Sequence, residues 1–285
     1  MTSNFEHPAE ALLAELGISD PKHIDVDAIA FDAGVRVRYE VLHGCEATLV
    51  GVRDRAIVTV QKNSGRPRQR FSVGHELGHW HHHRGQSFRC RVDEISANLA
   101  TKDRQKEREA DTYSSNLLLP GYLFKPLIKE IKAPSLSDLA IIGSDFECSV
   151  LCCALRFISI NTVPAILTSY DANGLRWFFA TPDVPRRWYL KNALDDDSFA
   201  YELLQDGKKQ PGLRKSGADT WFTNSDGANY ELREHSMNGY AGEVLTILLP
   251  EDGMLDAQYD ADAFPTRYND KGPYVSKRPN REQKR

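Results

Sequence analysis

The sequence predicts an α+β fold of two units: a small antiparallel sheet packed on helices, then a second, smaller α+β domain. Three observations carry that expectation. Apolar residues recur at three- and four-residue intervals before residue 35 and again through the stretch that precedes Asn161. Between these helical regions, over 35–61, lie short alternating runs rich in β-branched residues. After Asn161 the texture turns to strand-like runs. The expected boundaries are 1–160 for the first domain with its closing helices, 161–260 for the second, and 261–285 for a basic, disordered tail.

Taken in order, PAEALLAELGI and DVDAIAFDAGV read as two helices within 8–34. VRVRYEVL, ATLVGVRD and AIVTVQ read as three strands separated by turn residues, and NSGRPR as a loop. RQRFSVGHELGHWHHH carries the marks of a helix, another follows around 104–119, and two or three more cover 121–160. In the second domain, TVPAILTSYD and LRWFFATP are expected as strands and DDDSFAYELLQDG as a capped helix. TWFTN, NYELREHS and EVLTILLP are expected as further strands. The aromatic residues Trp177, Phe178, Trp188, Trp221 and Phe222 read as core.

Composition narrows the classes. The chain has 285 residues, 41% hydrophobic and 27% charged, without the ~20-residue apolar run that a membrane span needs. Its start, MTSNFEHPAEALLAELG, reads as a helix opening and not as an export signal. Five cysteines, Cys45, Cys90, Cys148, Cys152 and Cys153, are odd in number and never spaced as CxxC. That argues against a disulfide framework or a zinc ribbon and for a reducing cytoplasm. The net charge is −4, yet from Thr266 to Arg285 seven Lys/Arg face two Asp/Glu. Such a tail reads as a solvated end, and the body offers no basic face for nucleic acid.

Chemistry is concentrated in RFSVGHELGHWHHHR, residues 70–84. Two histidines four apart on a helix project from one face, about 6 Å apart along the axis, so His75 and His79 can reach one metal ion. Glu76, next to His75, is placed to take a proton from water at that ion. His83 continues the same face but lies ~12 Å along the axis from His75, too far to join the same ion. His81 and His82 point elsewhere, and all three read as surface or supporting residues. By itself HExxH arises by chance in on the order of one chain in a hundred of this length, so it needs company.

That company is KEREADTYSSNLLLP, residues 106–120. Glu107 and Asp111 stand one turn apart on one helix face, whereas Glu109 is expected to face away with Thr112 and Tyr113. Glu107 is the expected third ligand. Asp111 is expected to hold a ligand histidine by its other nitrogen. Two histidines and a carboxylate suit zinc, iron or manganese, and a helical HExxH with its adjacent base favours Zn2+, with Mn2+ or another divalent metal as the alternative.

RQRFSVGHELGH at 68–79, followed by EREADTYSSNLLLP at 107–120, resembles the ImmA/IrrE family of metallopeptidases. There RFTLAHELGH is followed by ExEANxFAxxLLMP. AIVTVQ resembles the family's strand before its metal helix. The resemblance covers about residues 8–160, and departures are mild: Ser-Val-Gly for Thr-Leu-Ala, Tyr113-Ser114 for Phe-Ala, and Asp111 where Asn is common. Past residue 161 the likeness is weaker and carries no chemistry. The resemblance implies a gluzincin-like, zincin-type fold and a cytoplasmic endopeptidase. It further implies a regulatory, stress-response protease that cleaves a helix-turn-helix repressor.

In that reading, Glu76 accepts the proton of the attacking water and passes it to the leaving amine. The oxyanion calls for a donor besides the metal, and Tyr113, Tyr39 and His43 are candidates among which the sequence does not choose. The sheet at 35–61 is expected to offer an edge for an extended substrate strand. Two rival readings remain. LSDLAIIGSDFECSVLCCALRF, residues 136–157, has the outline of a helix-turn-helix DNA-binding regulator, yet its second helix is apolar with Arg156 its sole cation. A non-catalytic metal sensor or scaffold is the other, and an intact Glu76 speaks against it.

Overall fold

The structure is a computed structural model, and it describes Phe5 and residues 7–84, 88–90 and 101–256. The basic tail expected over 261–285 lies outside the described residues. The chain divides into two compact units, one of Met1–Leu127 with Ile141–Cys152, the other of Ile128–Ala140 with Cys153–Arg285.

In the first unit, Pro8 sets the opening turn of α1 (Pro8–Glu15), and the His7 ring caps it by accepting from the Ala9 amide. Asp25 caps α2 (Val26–Asp32) by accepting from the amides of Asp27 and Ala28 at 3.0 and 3.2 Å. Three strands follow, β1 (Val35–Glu40), β2 (Ala47–Val52) and β3 (Arg55–Gln61). Next come α3 (Arg66–His82), a fourth strand β4 (Phe88–Cys90) that the sequence reading did not anticipate, and α4 (Thr101–Leu118).

The sheet is not the purely antiparallel one expected. Its order is β1-β3-β2-β4, with β1 parallel to β3 and the other pairs antiparallel. Burial explains the order. Ala56, Val58 and Val60 give β3 a fully apolar inner face, which suits an interior position, whereas β1 carries exposed Arg36, Arg38 and Glu40, tolerable on an edge. The inner face, with Ala47 and Leu49 of β2, packs on α3.

Helix α5 (Gly121–Lys129), α6 (Leu136–Asp145) and α7 (Val150–Ile160) complete the helical stretch. Cys153 is buried, and Cys148 and Cys152 are half-buried.

The second unit carries a five-stranded antiparallel sheet in the order β6-β5-β9-β8-β7. Its strands are β5 (Ile166–Asp171), β6 (Gly174–Ala180), β7 (Arg214–Gly217), β8 (Glu231–Asn238) and β9 (Val244–Pro250). Between β6 and β7 lies α8 (Phe199–Asp206), capped by Ser198 and closed by left-handed Gly207. The stretch expected as strand TWFTN is instead the short helix α9 (Ala218–Trp221), with Phe222 bridging to Leu190. The helical turn buries Trp221 and Phe222 in the core with Tyr170, Trp188, Leu232 and Leu248. A strand would have alternated their faces. Phe178 packs against this core and Trp177 is half-buried on β6. The short α10 (Asp252–Leu255) ends the described chain.

Candidate metal centre

Helix α3 is buried from Ser72 to Trp80, an unusual placement for a segment so rich in histidine. Its two glycines make that possible. A Cβ at Gly74 would lie 2.6 Å from Ser114 Oγ, and one at Gly78 would lie 2.7 Å from Ala110 Cα. Each glycine costs a helix about 1 kcal/mol relative to alanine. Here the lost side chains let α4 approach backbone to backbone. Ser114 Oγ donates to the Phe71 carbonyl at 2.9 Å, and Trp80 Nε1 donates to the Ala33 carbonyl at 3.0 Å. The metal helix is thereby fixed between α4 and the β-sheet side of its unit.

The approach brings three side chains of metal-ligating type together. Nε2 of His75 and Nε2 of His79 stand 3.1 Å apart. Glu107 places one carboxylate oxygen 3.2 Å from His75 Nε2 and the other 3.4 Å from His79 Nε2. A four-coordinate zinc with bonds of ~2.0–2.1 Å sets its ligand atoms roughly 3.3 Å apart, so this donor set fits one ion. His75, His79 and Glu107 can hold a metal ion. Burial raises the Glu107 carboxyl, but the two imidazoles reverse that and hold it at about 2. Burial lowers His79 below the usual imidazole range. Both shifts favour the unprotonated forms that metal ligands require.

Around the ligands lie acids from the same helix. His75 Nδ1 lies 2.9 Å from Asp111 Oδ1. His79 Nδ1 faces His83 Nδ1 at 3.3 Å, and His83 Nε2 lies 3.0 Å from Glu109 Oε2. Glu109 therefore does not face away from this end of α3, as expected from its helix face. The turn after α3 brings the His83 ring to it. Glu76 is completely buried.

The three candidates for an oxyanion donor fall in different places. Tyr113 is buried on α4, stacked on His81 at 5.3 Å, and burial raises its hydroxyl to about 12. Tyr39 on β1 donates to Asp27 at 2.8 Å, while His43 is exposed in the turn after β1. Sequence reasoning gave no role to Arg70, which is 3% exposed and donates to the Phe146 carbonyl at 3.3 Å. The spacing of two arginines before the metal motif was the only signal for it. Arg156 is 8% exposed, so the sole cation of α7 is not presented as a phosphate contact would need.

Fold and site define a class: an α+β domain whose HExxH helix and following helix together gather two histidines and one glutamate that could hold a metal ion. Residues 30–152 match the family model described as the IrrE N-terminal-like domain, Peptidase_M78, so this segment is similar to that family. No curated protein matches the chain significantly. Among solved structures the chain is similar to a Mycobacterium tuberculosis transcriptional regulator, with a TM-score of 0.57 and 12% identity. That alignment covers 85% of this chain and 75% of the other, and at such identity it speaks to fold alone. No helix among the described residues is long and apolar enough to cross a membrane.

Proposed function

We propose that the chain is a zinc-dependent, cytoplasmic endopeptidase in which His75, His79 and Glu107 hold the ion and Glu76 is the general base. A divalent cation held by His75, His79 and Glu107 would supply Lewis acidity toward a carbonyl and toward water. Glu76 adjoins His75 on the buried helix, which supports a carboxylate that would take a proton from water and return it to the leaving amine. Of the three candidates for a second oxyanion donor, Tyr113 is the one on a helix that also supplies a proposed ligand. An extended substrate can add to an edge of the sheet, β1 or β4.

The substrate class, a helix-turn-helix repressor, is supported by the resemblance to the ImmA/IrrE family and by the match of residues 30–152 to a peptidase family model. The observation that carries the reading is the convergence of the three side chains, with their two imidazole nitrogens 3.1 Å apart and a Glu107 oxygen 3.2 or 3.4 Å from each. Metal analysis of the purified protein, joined to co-expression with a repressor encoded beside it, tests the proposal. Zinc at one equivalent, and a repressor cut by wild type but intact with Glu76→Gln, are expected. Absence of bound metal, or equal and uncut repressor with both, overturns it.

A further inference from the structure

Two of the three ligands are imidazoles, and an imidazole binds a cation only through a nitrogen that carries no proton. With Nε2 turned inward, each must keep its proton on Nδ1, and whatever Nδ1 faces decides how firmly that tautomer is held. For His75 the partner is direct, the Asp111 carboxylate at 2.9 Å. For His79 it is another imidazole, Nδ1 of His83 at 3.3 Å.

Proton counting then leaves one consistent assignment. His79 Nδ1–H donates, so His83 Nδ1 must accept. A neutral His83 then carries its proton on Nε2, and that nitrogen lies 3.0 Å from Glu109 Oε2, an acceptor. The opposite tautomer of His83 would set two N–H groups against each other and turn a lone pair toward a carboxylate. Glu109 is itself held by Gln105 Nε2, which donates to its other oxygen at 2.8 Å. The His83 side chain is 9% exposed, so water competes poorly for its two bonds. Its place is set by the end of α3, where its backbone N–H donates to the His79 carbonyl at 2.8 Å.

We infer that His83 and Glu109 form a relay that fixes the tautomer and orientation of His79, making them positioning residues for the metal centre. The inference rests on the proposed centre of His75, His79 and Glu107. In consequence α4 supports both imidazoles with separate acids, Asp111 directly and Glu109 through His83.

The test is zinc affinity of the full chain, read by competition with a chelating indicator, with apo-protein thermal unfolding as the folding control. His83→Ala is expected to weaken zinc binding by about 10- to 100-fold, as for other groups that orient a ligand histidine. Glu109→Ala is expected to weaken it less, and adding it to His83→Ala is expected to change nothing further, because Glu109 acts through His83. His83→Asn sets an amide oxygen near the place of Nδ1. It is expected to restore most of the affinity and to be insensitive to Glu109→Ala. In the zinc-loaded protein, long-range 15N NMR is expected to show His83 protonated at Nε2. Wild-type affinity in folded His83→Ala, additive effects of the two alanines, failure of His83→Asn to rescue, or His83 protonated at Nδ1 each overturns the relay. A wild-type chain that binds no zinc overturns the centre itself, a distinct result.

Discussion

Gly78 of α3 and Ala110 of α4 meet so closely that a Cβ on Gly78 would lie 2.7 Å from Ala110 Cα and 2.9 Å from Tyr113 Cβ. Glycine at this position of the HExxH stretch is therefore what lets the helix that carries Glu107 reach the helix that carries the histidines. The effect is steric, since helical backbone at 78 is open to any residue.

Two opposed magnitudes decide what alanine does there. Helix propensity favours alanine by about 1 kcal/mol, while overpacking a filled interface against backbone costs about 1–3 kcal/mol. Ala110 cannot move without moving α4, so the second effect wins. Gly78→Ala is expected to lower apo-protein stability and zinc affinity together. Gly74→Ala, whose Cβ chiefly meets the Ser114 side chain, is expected to be milder. Thermal unfolding and chelator competition on both variants check this ranking, and a Gly78→Ala chain as tight for zinc as wild type would contradict it.

Glu107 and Asp111 should separate cleanly in metal binding. Removing Asp111 leaves His75 without the carboxylate that orients it, and Asp111→Ala is expected to weaken zinc binding by about 10- to 100-fold. Glu107→Ala removes the proposed third ligand and is expected to exceed that range. Isothermal titration of the two variants gives the order, and equal losses would argue that Glu107 is not a ligand.

The second unit should carry an acid sensitivity of its own. His235 is fully buried, its Nδ1 accepts from the Leu136 amide at 3.1 Å, and burial lowers its pKa. The unfolded chain takes up a proton near pH 6.5 that the folded chain resists, so the stability contributed is whole above about pH 6.5 and is lost as pH falls below it. His235→Gln keeps an acceptor for Leu136 and cannot titrate. The drop in melting temperature between about pH 7.5 and about pH 5.5 is expected to be smaller in the variant than in wild type. Parallel curves for the two would exclude His235 as the cause.

Arg70 and Glu147 form an unequal pair. Arg70 is 3% exposed and bonds the Phe146 carbonyl, and its guanidinium lies 3.2 Å from a Glu147 carboxylate that is 55% exposed. Arg70→Ala loses buried packing and a charged hydrogen bond, with an expected cost of about 2–3 kcal/mol. Glu147→Ala loses an ion pair that water already screens on one side, with an expected cost below about 1 kcal/mol. Chemical denaturation measures both, and a larger loss for Glu147→Ala would reverse the assignment.

Local pattern made much of this molecule legible. The alternation of β-branched residues over 35–61 located three strands, and His75, Glu76 and His79 were read as one unit because their spacing is a property of a helix alone. The same local reading expected an antiparallel sheet and missed β1 lying parallel beside β3, because strand order depends on which faces the rest of the unit covers. It also read TWFTN as a strand. Aromatic content raises strand propensity, but here the core took up Trp221 and Phe222 through a helical turn.

Sequence by itself determined which residue types could bind a cation and that two of them would share a helix face, since four residues of α-helix fix their separation whatever surrounds them. Tertiary structure decided the rest of the centre. Nothing local to 101–118 specifies how near α4 comes to α3; the gap closes where Gly74 and Gly78 leave no side chain between the backbones. That contact brings Glu107 within 3.2 and 3.4 Å of the imidazoles and sets Glu109 against His83, a partner its own helix face did not suggest.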